Sequence, residues 1–122
     1  MLIRAGDLHI RARLKDTPTA DRIWATLPIY STAETWGQAI HFETNAETGR
    51  EPGAKWNVKA GEIAYWVEED RIIIAFGPTP LSRPGEIRLP APCNLWATAL
   101  DDVAQLASIQ PGMEIAVLVA ES

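Results

Sequence analysis

The 122-residue chain contains a single cysteine, Cys93. An intramolecular disulfide is therefore excluded, and without a CxxC pair or a Cys/His cluster a structural zinc ion has no set of ligands. Cys93 is expected to be a small buried apolar group. Long hydrophobic runs are also missing. The longest candidate, Ile72-Ile73-Ile74-Ala75-Phe76, falls far short of the ~20 residues of a membrane-spanning helix. The N-terminal MLIRAGDLHIRARL alternates apolar and polar residues and has no continuous apolar stretch of the signal-peptide kind, so a soluble, cytoplasmic chain is expected. Positive charge is in deficit, with eleven Lys and Arg against sixteen Asp and Glu and a net charge of −5. Such a field repels a phosphate backbone, and the basic residues are scattered rather than striped, which argues against a nucleic-acid partner. The five Trp are accordingly read as core rather than as stacking platforms for bases.

What is present is enough for one domain spanning 1–122, since a chain of this length buries roughly two thirds of the surface its unfolded form exposes. Leu8, Ile10, Ala12 and Leu14 share one face of a first strand. TPTADRIWATLP then changes period: Ala20, Ile23, Trp24 and Leu27 have helical spacing, with Thr17 as cap, Pro18 in the first turn and Pro28 as the stop. Period two returns in IYSTAETW and in QAIHFET, where Ala39, His41 and Glu43 face away from Ile40 and Phe42. Residues 44–55 are polar and Gly/Pro-containing, and read as a long mobile loop or lid.

GEIAYW and RIIIAF follow as two strands around Glu68-Glu69-Asp70, three carboxylates expected to be solvated rather than metal-binding. Five of the nine prolines fall in GPTPLSRPGEIRLPAP, residues 77–92, which is expected to be a stiff connection and not a strand. CNLWATAL resumes a strand, with Leu95, Ala97 and Ala99 opposite Asn94, Trp96 and Thr98. Asp101 or Asp102 caps a short helix with Val103, Leu106 and Ala107 inward, and MEIAVLV closes the sequence as a strand. About seven strands with two short helices and no βαβ alternation predict a mainly β protein, a closed antiparallel barrel plugged by its helices near 18–27 and 102–109.

GEIAYW, AFGPTP with Ser82, and the return strand carrying Leu95-Trp96 resemble a family of small bacterial and archaeal proteins with a cyclophilin-like fold. TPTADRIWATLP and TWGQAIHFE extend the resemblance over nearly the whole chain. It implies an eight-stranded barrel capped by helices, with a surface cleft beside the strands. It also raises peptidyl-prolyl isomerisation, in which an enzyme lowers the ~18–20 kcal/mol barrier of amide rotation by binding the twisted amide better than the planar one. An arginine aimed at the prolyl nitrogen and an apolar pocket would suffice. In cyclophilins that arginine lies in a Phe-His-Arg context, followed by an aromatic, a Met and a Gln-Gly-Gly. None of these strings is present, and Arg50, Arg71, Arg83 and Arg88 carry no motif that selects among them.

The sequence therefore favours a module that binds a peptide or small molecule in a cleft, with a divergent isomerase as the alternative. No metal or cofactor is called for. The candidate ligand-binding residues flank the loops 44–55 and 77–92: Trp36, His41 and Glu43 before the first, and Tyr65, Trp66 and Phe76 between them. Thr79 and Arg83 lie within the second, and Trp96 follows it. Residues 77–92 are expected to form a preorganised cleft wall over Phe76 and Trp66, with Thr79 and Arg83 as its polar contacts.

Overall fold

Gly6 takes a φ of +58°, a conformation open to glycine at little cost, and folds the N-terminal alternating segment into a hairpin. Leu2–Ala5 (β1) pairs antiparallel with Leu8–Leu14 (β2). The first strand thus begins six residues before Leu8, because the Gly6-Asp7 turn divides what reads as one alternating run. The computed structural model describes residues 1–120. Pro18–Thr26 (α1) is capped by Thr17, whose side chain accepts from the Ala20 amide. It buries Thr19, Ala20 and Ile23 and leaves Trp24 45% exposed, so the inward stripe lies about one residue earlier than the apolar spacing implies.

Ile29–Thr32 (β3), Glu34–Thr35 (β4) and Ala39–Glu43 (β5) follow, then Lys55–Val58 (β6), Glu62–Trp66 (β7), Arg71–Ala75 (β8), Ile87–Ala99 (β9) and Glu114–Leu118 (β10). The pairing order β3-β10-β1-β2-β9-β7-β8-β5-β4 is antiparallel throughout and nearly closes into a barrel, with β6 paired to β9 outside the ring. The two ends of this order, β3 and β4, are separated in the chain by Ala33 alone. They act as one bent stave, paired to β10 by its first half and to β5 by its second, which leaves eight staves around the axis. Val103–Ser108 forms a 3-10 helix capped by Asp102. Its period of three buries Val103 and Leu106, with Ile109 following, and turns Ala107 outward. Among the described residues no helix is long and apolar enough to cross a membrane.

Two apolar clusters result. The larger fills the barrel with Ile3, Ile10, Phe42, Ile63, Tyr65, Ile72, Ile74, Trp96, Ile115 and Val117, and α1 contributes Ala20 and Ile23. The smaller covers the outer face of β5, β7 and β8, where Ala39, Ala64, Ile73 and Ala75 meet Val58, Leu89 and Cys93. This second layer explains why IIIAF is apolar without interruption: β8 is buried on both faces.

The stiff connection predicted for 77–92 is shorter than expected, because β9 starts at Ile87 and runs through Pro90 and Pro92. The β6–β9 register supplies the reason. Lys55 opposes Cys93 and Asn57 opposes Arg88, so residues 89–92 lie opposite Trp56 alone, and both prolines fall where no regular ladder bond is required. A second irregularity lies further along β9. Ile63 pairs with Ala97 and Ala64 with Leu95, making Trp96 the extra residue of a bulge. Strict alternation is lost there, and Asn94, Trp96 and Ala97 are all buried instead of dividing between opposite faces.

Candidate functional site

On β5, β7 and β8, alternation sends Ile40, Phe42, Ile63, Tyr65, Ile72 and Ile74 into the barrel. His41, Glu43, Trp66 and Arg71 are thereby directed outward. The His41 ring meets Trp66 edge-on at 6.0 Å between centroids, and its Nδ1 lies 3.2 Å from an Arg71 guanidinium nitrogen. Because arginine can only donate, Nδ1 carries the lone pair and Nε2 the proton. Burial, and then the charge of Arg71, hold the His41 pKa below its ordinary value. Glu43 accepts from Arg71 at 3.3 Å. Trp36 and Trp66 both pack against the smaller cluster. The structure thus gathers four of the expected site residues, Trp36, His41, Glu43 and Trp66, on one outer face.

The other five lie elsewhere. Tyr65 and Trp96 are fully buried, and Phe76 packs from the edge against the barrel core. The Tyr65 hydroxyl lies 2.5 Å from the Ala46 carbonyl and 2.9 Å from Asp70 Oδ1. Burial, followed by that carboxylate, raises its pKa. Asp70, expected to be solvated, is therefore engaged by Tyr65, while Glu68 meets Arg50. Thr79 is 7% exposed. Its hydroxyl donates to the Arg88 carbonyl and accepts from the Leu81 amide, and its own amide donates to Ser82 Oγ. Arg83 is exposed, and its backbone N–H donates to Glu86.

The turn at 77–82 is seated on the turn at 36–39, with the Gln38 amide donating to the Pro78 carbonyl and the Phe76 amide to the Gln38 carbonyl. A Cβ at Gly37 would lie 2.7 Å from Pro80 Cδ, and one at Gly77 would overlap the Gln38 side chain. TWGQA and FGPTP are two halves of one close contact. Phe76 and Trp66 do not lie together beneath this connection: Trp66 belongs to the outer cluster and Phe76 to the inner one.

Residues 44–55, read as a long mobile loop or lid, are fastened down, and the last of them, Lys55, already opens β6. Asn94, 1% exposed, donates to Thr19 Oγ1 and to the Gly49 carbonyl and accepts from the Glu51 amide. The Glu51 carboxylate in turn accepts from the Thr19 amide and hydroxyl in the first turn of α1. Nothing in the periodicity marks Asn94 as such a hub.

Cys93 has no exposed surface, and burial pushes its thiol up to about 12 from 9.0. Both Cys93 and Tyr65 are thus held neutral in the fold while the unfolded chain ionises. Their contribution to stability is complete below about pH 9 and is lost as pH rises toward the folded values. The urea midpoint is expected to fall steadily above pH 9, and less steeply in Cys93→Ala. A thiol reagent at pH 8 should modify Cys93 only at the rate of structural opening; immediate modification would contradict its burial.

Two surface clefts flank strand β3. Strand β3 turns Ile29 inward and Tyr30 outward, and Tyr30 remains 71% exposed. On one side of it a cleft of about 390 Å³ has Ala116 as its floor and Arg4, Gly6 and Glu114 around it. Cross-strand pairing of Arg4 with Ala116 and of Ala116 with Tyr30 sets the arginine and the phenol on either side of a methyl-sized floor. On the other side a cleft of about 310 Å³ lies between Tyr30 and Glu43, Thr44 and Asn45. Of the nine expected site residues, Glu43 alone lines either cleft. The available signal is a lone aromatic on the face of IYST opposite Ile29.

A family model described as cyclophilin-like matches residues 1–118. The solution structure of the hypothetical protein AF2241 from Archaeoglobus fulgidus is similar to this chain at 31% identity, covering 98% of this chain and 92% of that one, with a TM-score of 0.81. No curated protein matches.

Proposed function

For a chain that belongs to the cyclophilin-like family, we propose a binding role: the protein holds a peptide or small molecule in the clefts flanking Tyr30, without chemical turnover. The carrying observation is Tyr30 itself, an aromatic ring 71% exposed between two concave surfaces. An aromatic wall, a small apolar floor and a few convergent polar groups are the usual lining of a ligand site. Arg4 and Glu114 bring both signs of charge to the larger cleft, and neither is in an ion pair with another described residue.

Isomerase chemistry finds less support in the arginines that the sequence singled out. Arg50 meets Glu68, Arg71 meets His41 and Glu43, and the Arg88 guanidinium stacks over Trp56 at 4.5 Å. None of these lines the Tyr30 clefts, and neither does Arg83. Isomerisation of a short X-Pro peptide is expected to stay near the uncatalysed time of tens to hundreds of seconds. Native mass spectrometry of the protein purified from its own host is expected to show a retained mass that Tyr30→Ala loses. Rapid isomerisation abolished by replacing one arginine would overturn this reading, as would a retained mass indifferent to Tyr30.

A further inference from the structure

We propose that the cleft between β3 and the end of β5 receives an extended peptide, which pairs through its backbone with the free edge of β3. This pairing rests on the binding role given above and names the ligand class of the same site.

Hydrogen-bond direction shows which backbone groups are free. Ala33 donates to the Met113 carbonyl and accepts from the Gly112 amide, so both its backbone groups point toward β10. In an antiparallel ladder these directions alternate along a strand. Ser31 and Ile29 therefore share the direction of Ala33, while Tyr30 and Thr32 turn their N–H and C=O groups the other way, toward β5. On β5, Ala39 exchanges both bonds with Trp36, whereas the Gln38 carbonyl and the Thr44 amide bond residues at the two ends of β8. By the same alternation Glu43 turns its N–H and C=O toward β3.

The β4–β5 ladder pairs Thr35 with Ile40 and Glu34 with His41. Its continuation would pair Thr32 with Glu43 and Tyr30 with Asn45, but β3 has no ladder to β5. The stave diverges at Ala33, and the cleft of about 310 Å³ occupies the place of the missing rungs. Alternating donors and acceptors along an exposed strand recognise one chemistry above others, that of another extended backbone.

The remaining sheet edges support this choice by contrast. Along the first part of β9, the side chains of Thr79 and Ser82 take the carbonyl and amide of Arg88, and Pro90 and Pro92 have no N–H to offer. Strand β6 starts at Lys55, is followed by Lys59, and has an irregular register. Prolines, lysines and irregularity are the common means by which proteins blunt edges. Within the strand, Ile29-Tyr30-Ser31-Thr32 has none of them, Pro28 standing just before it at the mouth of the cleft. It is rich in residues that favour strands, and the Tyr30 ring stands ready to cover a side chain of the incoming peptide.

The test is selection of short peptides from a random displayed library against the intact protein, followed by N-methylation of each peptide position in turn. Backbone pairing predicts a period-two pattern, in which methylation at alternate residues weakens binding by about tenfold or more and the residues between tolerate it. It also predicts slowed exchange of the Tyr30, Thr32 and Glu43 amides in the complex. Thr32→Pro removes an edge N–H that no ladder uses. It is expected to retain cooperative unfolding and lose the peptide; should it not fold, the N-methyl scan, which leaves the protein untouched, decides. Uniform tolerance of methylation with peptide still at Tyr30 would overturn strand pairing and leave the binding role standing. Strand pairing is likewise overturned, and the binding role kept, if no peptide is selected but small molecules occupy the Tyr30 clefts. If nothing binds beside Tyr30, both proposals fall.

Discussion

Trp96→Ala is expected to destabilise the protein by about 3–5 kcal/mol, the range for emptying a large aromatic site in a packed core. Trp96 leads the fully buried side chains in size and lies in the barrel cluster with Phe42 and Tyr65. Its place at the β7–β9 bulge makes collapse around the deletion difficult, since the extra residue exists to carry this ring inward. Trp96→Phe should cost far less. The indole Nε1 is buried without a hydrogen-bond partner among the described residues, so the smaller ring forfeits packing but no hydrogen bond. Urea denaturation of the two variants checks the order. A Phe variant as unstable as the Ala variant would show that the indole N–H matters more than the packing of the ring.

Asn94→Ala is expected to cost about 2–3 kcal/mol, because it leaves several groups unpaired at a largely buried junction. Thr19 Oγ1 loses a donor, the Gly49 carbonyl loses a donor, and the Glu51 amide loses its acceptor. Two consequences should separate. Global stability falls because β9 is no longer tied to the start of α1, and the 44–54 segment opens locally because its middle is no longer held. Hydrogen exchange should therefore show the Glu51 amide gaining more in rate than amides of β7 or β8. Asn94→Asp should be worse than alanine at neutral pH, since it places a second carboxylate beside Glu51 in a buried setting, and its deficit should narrow as acid protonates it. Equal exchange throughout the chain would mean that the loop is held by other contacts.

The parts of the fold legible in the sequence are those in which local pattern and tertiary environment agree. The cap of α1, the β7–β8 pair and the final strand follow from Thr17, the Ile-rich segments and MEIAVLV, while the cap of the second helix, open in the sequence between Asp101 and Asp102, falls on Asp102. The parts that differ are those where a long-range contact overrides the local signal. Pro90 and Pro92 argue against a strand only if every residue must join a ladder, and the slipped β6–β9 register releases them from it. Residues 44–55 read as mobile because their composition is polar, but buried side chains distant in sequence hold them: Asn94 at Gly49 and Glu51, Thr19 at Glu51, and Tyr65 at the Ala46 carbonyl. Trp96 defeats alternation because a bulge has no signature in one strand taken alone.

The candidate site divides in the same way. His41, Glu43 and Trp66 come together because period two along a strand is local information, and Trp36 joins them from the turn between β4 and β5. Thr79 stands out in the sequence as a polar group in a stiff loop, yet its hydroxyl is occupied with Arg88 and Leu81. Tyr30 is marked in the sequence only as a lone aromatic on the face of IYST opposite Ile29, because its exposure depends on β3 leaving β5 at Ala33, a divergence that no window of residues records.

The central claim is that ligands are held beside Tyr30, and amide chemical-shift mapping tests it most directly. The isotope-labelled protein would be titrated with a mixed set of small carboxylic acids, amines and dipeptides. Shifts are expected to centre on Arg4, Tyr30, Thr32 and Ala116 and to vanish in Tyr30→Ala while the rest of the spectrum is unchanged. Shifts centred on His41 and Trp66, or on the turn around Thr79 and Arg83, and persisting in Tyr30→Ala, would contradict it.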